Sequence, residues 1–227
     1  MTYVVLDPKL TSETYKKTSD VSYDIFVDGI MEATGTSKLA RNKMWSVTVE
    51  ETKLSIPNSI REWVRQGLQR AAMNKLLYLR FREEVHDVLS VDFVPRPSPY
   101  FDNSVQQEVG KTGRFSLLDW TGDTLVTAFS NALFGHACVD NYPQMLDAFH
   151  RYNRKAWVVI LRLPRYLKRG PHDARDRVLT GLTQYFDLPA EKRMDSADFI
   201  MRSEIEMRTH GISSQDIAAV MANFYWA

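Results

Sequence analysis

From Asp216 to the last residue the chain is apolar on every helical face. Ile217, Ala218, Ala219, Val220, Met221, Ala222, Phe224, Tyr225 and Trp226 are interrupted only by Asn223. A helix of that kind is stable only inside a protein, where other elements cover all its sides. Ser213 and Ser214 stand where a helix N-cap is expected, and Asp216 falls in the first turn, where a carboxylate suits the helix dipole. The chain stops at Ala227 inside this helix with no cap. That predicts a truncated piece of a larger fold.

The rest of the sequence predicts the helices that would surround it. Proline and glycine divide the chain into segments with helical periodicity. Tyr23–Ala33 carries Ile25, Phe26, Ile30 and Met31 near helical spacing, with Gly35 closing it. Pro57 opens a helix on which Ile60, Trp63, Val64, Leu68, Ala71, Ala72, Leu76 and Leu79 recur, running to about Val91 with a kink near Gly67. Pro95, Pro97 and Pro99 end it, and a polar loop follows to Arg114. Leu117–Phe134 closes at Gly135, Pro143–Ile160 ends at Leu163-Pro164, and Pro171–Phe186 follows. Asp195–His210 stops at Gly211, where a left-handed residue is expected. At the other end, Tyr3–Leu6 reads as a strand stopped by Asp7-Pro8, and Leu10–Lys17 as a short helix. Val47–Ile56 reads as loop or strand. The fold class is therefore mainly α with a small N-terminal strand edge. Residues 1–56 form that edge and 57–227 a helical body.

Charge and cysteine content narrow the function. Lys plus Arg number 29 against 28 Asp plus Glu, so nucleic acid is not an expected partner. The basic run Arg162–Arg169 reads as a solvated loop between helices, with an anionic membrane surface as the sharper alternative. One cysteine, Cys138, excludes an internal disulfide framework and a multi-cysteine zinc site and fits a reducing, intracellular compartment. No apolar run reaches the length needed to span a bilayer, and the N-terminus lacks a signal-peptide pattern. His86, His136, His150, His172 and His210 are dispersed without metal-ligand spacing. No phosphate-binding glycine loop or nucleophile elbow occurs.

Four segments, in order, resemble the cytochrome P-450 monooxygenases. Tyr3-Val4-Val5-Leu6-Asp7-Pro8 with the helix to Lys17 looks like the strand and B helix of that fold. Thr127–Gly135, ending Ala132-Leu133-Phe134-Gly135, resembles the end of the E helix. Pro143, Leu146, Phe149 and Trp157–Pro164 resemble the F helix and its turn, and Arg208–Ala218 the junction into the I helix. The ending Phe224-Tyr225-Trp226-Ala227 is similar to the sterol-hydroxylase and prostacyclin-synthase branch. The resemblance implies the distal half of the fold, helices B to early I, of an enzyme that inserts one oxygen atom into an apolar, sterol- or lipid-like substrate. It further implies haem, a reductase partner and, for a full-length enzyme, the endoplasmic-reticulum membrane.

The same resemblance says what this chain does not carry. The axial thiolate of the family lies in a loop well after the I helix, and Cys138, just after the E-helix match, is not its equivalent. Glu62-Trp63-Val64-Arg65 fits the family's Glu-x-x-Arg pattern but lies upstream, and reads as a surface helix pair. No catalytic residue is assigned, and no haem is expected on this chain alone, which would be catalytically incompetent. What the resemblance assigns is a wall of the substrate pocket: Phe26, Ile30 and Met31 from the region over the haem, and Ala222, Phe224 and Tyr225 from the I-helix face. Ordinary core packing is the alternative for each. The alternative for the whole chain is a non-catalytic helical protein that binds an apolar ligand, or a partner chain at an exposed C-terminal helix.

Overall fold

A computed structural model describes residues 23–69, 78–83, 85–86 and 117–225, with three isolated positions nearer the N-terminus. The expected strand Tyr3–Leu6 and the Pro95–Pro99 break lie outside the described residues, as does nearly all of the expected helix Leu10–Lys17.

The described residues are mainly helical. Helix α1 is Asp24–Thr34, α2 Lys38–Ser46 and α3 Ile56–Gln69. Next come α4 (Leu117–Phe134), α5 (His136–Asn141), α6 (Gln144–Asn153) and α7 (Ala156–Ile160). Helices α8 (Arg169–Asp187), α9 (Asp198–Thr209) and α10 (Ser214–Met221) complete the body. The only β pairing among the described residues is a single antiparallel bridge, Thr48 to Ser55, inside the segment read as loop or strand.

Glycine stops the helices where expected. Gly35, Gly135 and Gly211 all have positive φ, at 108°, 73° and 66°. At Gly35 the amide donates to the Glu32 carbonyl and the Thr36 amide to Met31, at 3.1 and 2.9 Å. Gly211 and Ile212 repeat the pattern on Arg208 and Met207. This six-to-one and five-to-two pairing satisfies the last carbonyls of each helix.

Several boundaries differ from the sequence reading. The long helix expected from Pro57 is described from Ile56 and runs through Gly67 to Gln69. A Cβ at Gly67 would sit 2.8 Å from the Phe199 ring, so the missing side chain lets α3 and α9 approach. Pro143–Ile160 is two helices, because the chain turns at Arg154 and Lys155, whose amides donate back to His150 and Tyr152. Asp195 lies before α9, not in it, and its carboxylate accepts from the His136 amide at 2.8 Å. The last α-helix ends at Met221 and tightens into a 3-10 turn over Ala222–Tyr225.

One main core joins these helices, from Met31 on α1 to Ala222 after α10, with Met44, Trp63, Phe134, Leu182, Tyr185, Ile200 and Met207 inside it. It draws on both sides of the 56/57 boundary. Helix α8 is the hub, packed on α6 along one face and on α10 along another. Helix α10 is enclosed as its composition demands: Ile217, Ala218, Ala219 and Met221 are fully buried, with α1, α8 and α9 around it. No described helix is long and apolar enough to cross a membrane.

Candidate substrate-facing site

Helix α1 positions three of the six expected pocket residues, and the end of α10 the others. Met31 is buried and joins the main core together with Ala222. Ile30 is half-buried, and Phe26 is exposed, its ring 5.0 Å from that of Tyr23. Met31 and Ala222 are thus brought into one apolar cluster, whereas Phe26 lies on the outer side of α1. Phe224 and Tyr225 fall in the 3-10 turn after α10, and their side chains lie outside the described residues.

Polar contacts lock this seam. The Thr34 hydroxyl donates to the Ile30 and Met31 carbonyls, each at 3.1 Å. Asn223 Nδ2 reaches Thr34 Oγ1 at 3.4 Å and the Val220 carbonyl at 3.1 Å. Just beyond α1, Asp216 accepts from the Ser37 amide at 2.7 Å and from its hydroxyl at 3.2 Å. Ser37 and Ser213 are the N-caps of α2 and α10, each accepting from a backbone amide of its own helix. Asp216 also accepts from the Ser213 hydroxyl at 2.8 Å. One carboxylate therefore braces the start of two helices from opposite ends of the chain, and satisfies donors that a helix start leaves open.

The electrostatic centre of the body lies elsewhere. Arg193 and Glu204 are both buried and paired through two hydrogen bonds, at 2.5 and 2.8 Å. Arg208 donates to the same carboxylate at 2.7 Å and to the Phe186 carbonyl at 2.5 Å. The Arg193 guanidinium also lies over the Tyr185 and Phe186 rings at 5.1 and 5.6 Å. Burial raises the Tyr185 hydroxyl to about 12, and that hydroxyl donates to the Phe134 carbonyl at 2.7 Å. The Glu204–Arg208 half of this cluster has the i,i+4 spacing visible in sequence. Arg193, eleven residues from Glu204 and on no shared helix, gave no such signal.

A thiolate-ligated haem needs a cysteine sulfur with an open face. Cys138, the chain's single cysteine, is fully buried in the main core, so its sulfur has no open face for an iron porphyrin. Among the described residues no group of His, Cys, Asp and Glu is placed to hold a metal ion. The described residues therefore offer such a haem no thiolate ligand. Glu62 and Arg65 form a surface pair at 2.7 Å on α3, and hydrogen bonds from Arg65 and then Gln66 hold the Glu62 carboxyl down to about 2.

Comparison with known proteins adds one likeness. The chain is 24% identical over 229 residues to the cytochrome P450 monooxygenase poxD of Penicillium oxalicum. The likeness is to the cytochrome P-450 superfamily. It covers 99% of this chain and 43% of that protein, so the chain spans less than half the length of the curated relative it matches. It supports a monooxygenase at superfamily level and distinguishes no branch within it. No protein-family model matches the chain, and no solved structure matches it.

Proposed function

We propose that this chain is the distal, substrate-covering part of a haem-thiolate monooxygenase that hydroxylates an apolar, sterol- or lipid-like molecule. The observation that carries the reading is the end-to-end likeness to a cytochrome P450 monooxygenase, 99% of this chain against 43% of that protein. Met31 and Ala222, proposed for two walls of one pocket, both lie in the main apolar core. Such surfaces select a substrate by shape and dispersion contact. A haem held by a thiolate outside this chain would supply the oxygen chemistry of such an enzyme. The part of this chain is to hold the substrate, orient it and keep water out. Taken alone it is catalytically incompetent, because its one thiol is enclosed by the core.

The test is a hemin titration of the purified chain, then reduction and carbon monoxide. The expected result is no carbonyl complex with the red-shifted Soret band of a thiolate ligand. Appearance of that band makes Cys138 the ligand and overturns the reading. A second arm sequences the transcript past the Ala227 codon. An open frame that carries a Glu-x-x-Arg pair and then a cysteine loop is expected, and a frame lacking both overturns the assignment.

A further inference from the structure

Helices α6 and α8 pack closely at Gly181, where a Cβ would meet Met145 at 3.1 Å. On the outer side they border a hollow of about 760 Å³. A second hollow of about 540 Å³ adjoins it, sharing Ala148, Arg151 and Arg177. The spacing of the residues makes the groove. Arg151 in the last turn of α6, and Arg154 and Lys155 in the turn that follows, all border the second hollow. Arg177, Thr180 and Gln184 stand at i, i+3 and i+7 on the α8 side.

The groove is chemically divided along its length. Asn141, Gln144, Thr180 and Gln184 line the first hollow with neutral donors and acceptors. Arg151 and Arg177 lie where the hollows meet, and Arg154 and Lys155 line the second. Two carboxylates also reach the groove, Asp147 and Asp173, and Asp173 is already paired with Arg165. Arg151, Lys155 and Arg177 have no side-chain hydrogen bond or ion pair to any described residue. The dipole at the end of α6 favours Arg151 and Arg154 there. It does not account for Arg177, which sits in the middle of α8 and across the groove from them. Cations gathered around one hollow repel each other, and a polyanion between them turns that repulsion into charge-assisted hydrogen bonds.

We infer that the groove between α6 and α8 is a binding site for a phosphorylated small molecule with a polar head, in chemical class a nucleoside diphosphate. The phosphates lie between Arg151 and Arg177 with Lys155 beyond them. The sugar and base lie against Gln144, Thr180 and Gln184. The first hollow falls in the ~300–1,000 Å³ range of small-molecule sites. This assignment is independent of the haem-enzyme reading, because neither α1 nor the turn after α10 lines the groove.

The experiment is calorimetric titration of the purified chain at physiological ionic strength with pyrophosphate and with adenosine diphosphate. Adenosine diphosphate is expected to bind saturably and about 10-fold more tightly than pyrophosphate. Arg151→Glu and Arg177→Glu are each expected to weaken it about 10-fold or more, as loss of a charge-assisted contact does. Arg61→Gln on α3 is expected to leave it unchanged. If circular dichroism shows that a charge-reversed chain is unfolded, Arg151→Gln and Lys155→Gln supply the same comparison. No saturable binding, equal loss in Arg61→Gln, or pyrophosphate as tight as the nucleotide overturns the assignment. Binding to phosphatidylserine vesicles without binding to the nucleotide also overturns it, and makes the groove a lipid-headgroup surface.

Discussion

Glu204 carries two guanidinium groups on one buried carboxylate, and of the two only Arg193 is itself buried. Removing the carboxylate leaves Arg193 enclosed and unpaired, which is far more costly than losing an exposed ion pair. Glu204→Ala is expected to destabilise the fold by about 3–5 kcal/mol, read from urea unfolding, whereas an Arg65→Ala change on the surface pair should leave the midpoint nearly unmoved. Tyr185 acts in a different pH range. Its folded pKa of about 12 lies above the usual 10, so the folded state keeps a proton that the unfolded state gives up first. Its contribution is therefore whole below pH 10 and is lost as pH rises from 10 towards 12. Tyr185→Phe should flatten that alkaline decline relative to the unsubstituted chain, while costing about 1 kcal/mol at neutral pH through the lost bond to the Phe134 carbonyl.

At the scale of elements, helix packing decides which glycines can be replaced. Gly67 and Gly170 are both helical, and helix propensity alone would favour alanine at each by up to about 1 kcal/mol. A Cβ at Gly67 would meet the Phe199 ring at 2.8 Å, whereas at Gly170 nothing lies within 4 Å. Gly67→Ala is therefore expected to lower the thermal midpoint and Gly170→Ala to hold or raise it, which differential scanning calorimetry would show. The helix ends were legible where glycine or proline marks them, as at Gly35, Gly135 and Gly211. Helix α2 was missed because Lys38, Arg41, Asn42 and Lys43 obscure its apolar face, although Ser37 is an ordinary N-cap signal. The break between α6 and α7 carries no glycine or proline, so nothing local announced it. Asp195 was read as the start of the helical segment that runs to His210. Its actual partner is the His136 amide, 59 residues away, and no short-range pattern encodes that distance. Of the residues proposed for a pocket wall, the sequence showed only the apolar character. Which side of α1 faces α10, and so why Met31 is inside and Phe26 outside, depends on tertiary packing.

Across the whole molecule, the first and last described helices are fastened to each other. Asp216 joins the caps of α2 and α10, and Met31 shares its core with Ala222. Asp216→Ala removes acceptors from the Ser37 amide and from both serine hydroxyls, so it should cost about 1–2 kcal/mol. Because one core spans the structure, that loss should appear as a lower midpoint of a single transition, with fluorescence and circular dichroism coincident. Ser37 and Asp216 are 179 residues apart. A ribosome adding about 5–20 residues per second therefore needs roughly 10–35 s to make the second after the first. For that interval α1 and α2 have neither their brace nor the apolar helix that covers Met31. The nascent chain must carry that uncovered surface until the α10 segment emerges, and a chaperone that holds apolar surface would find its opportunity in that interval.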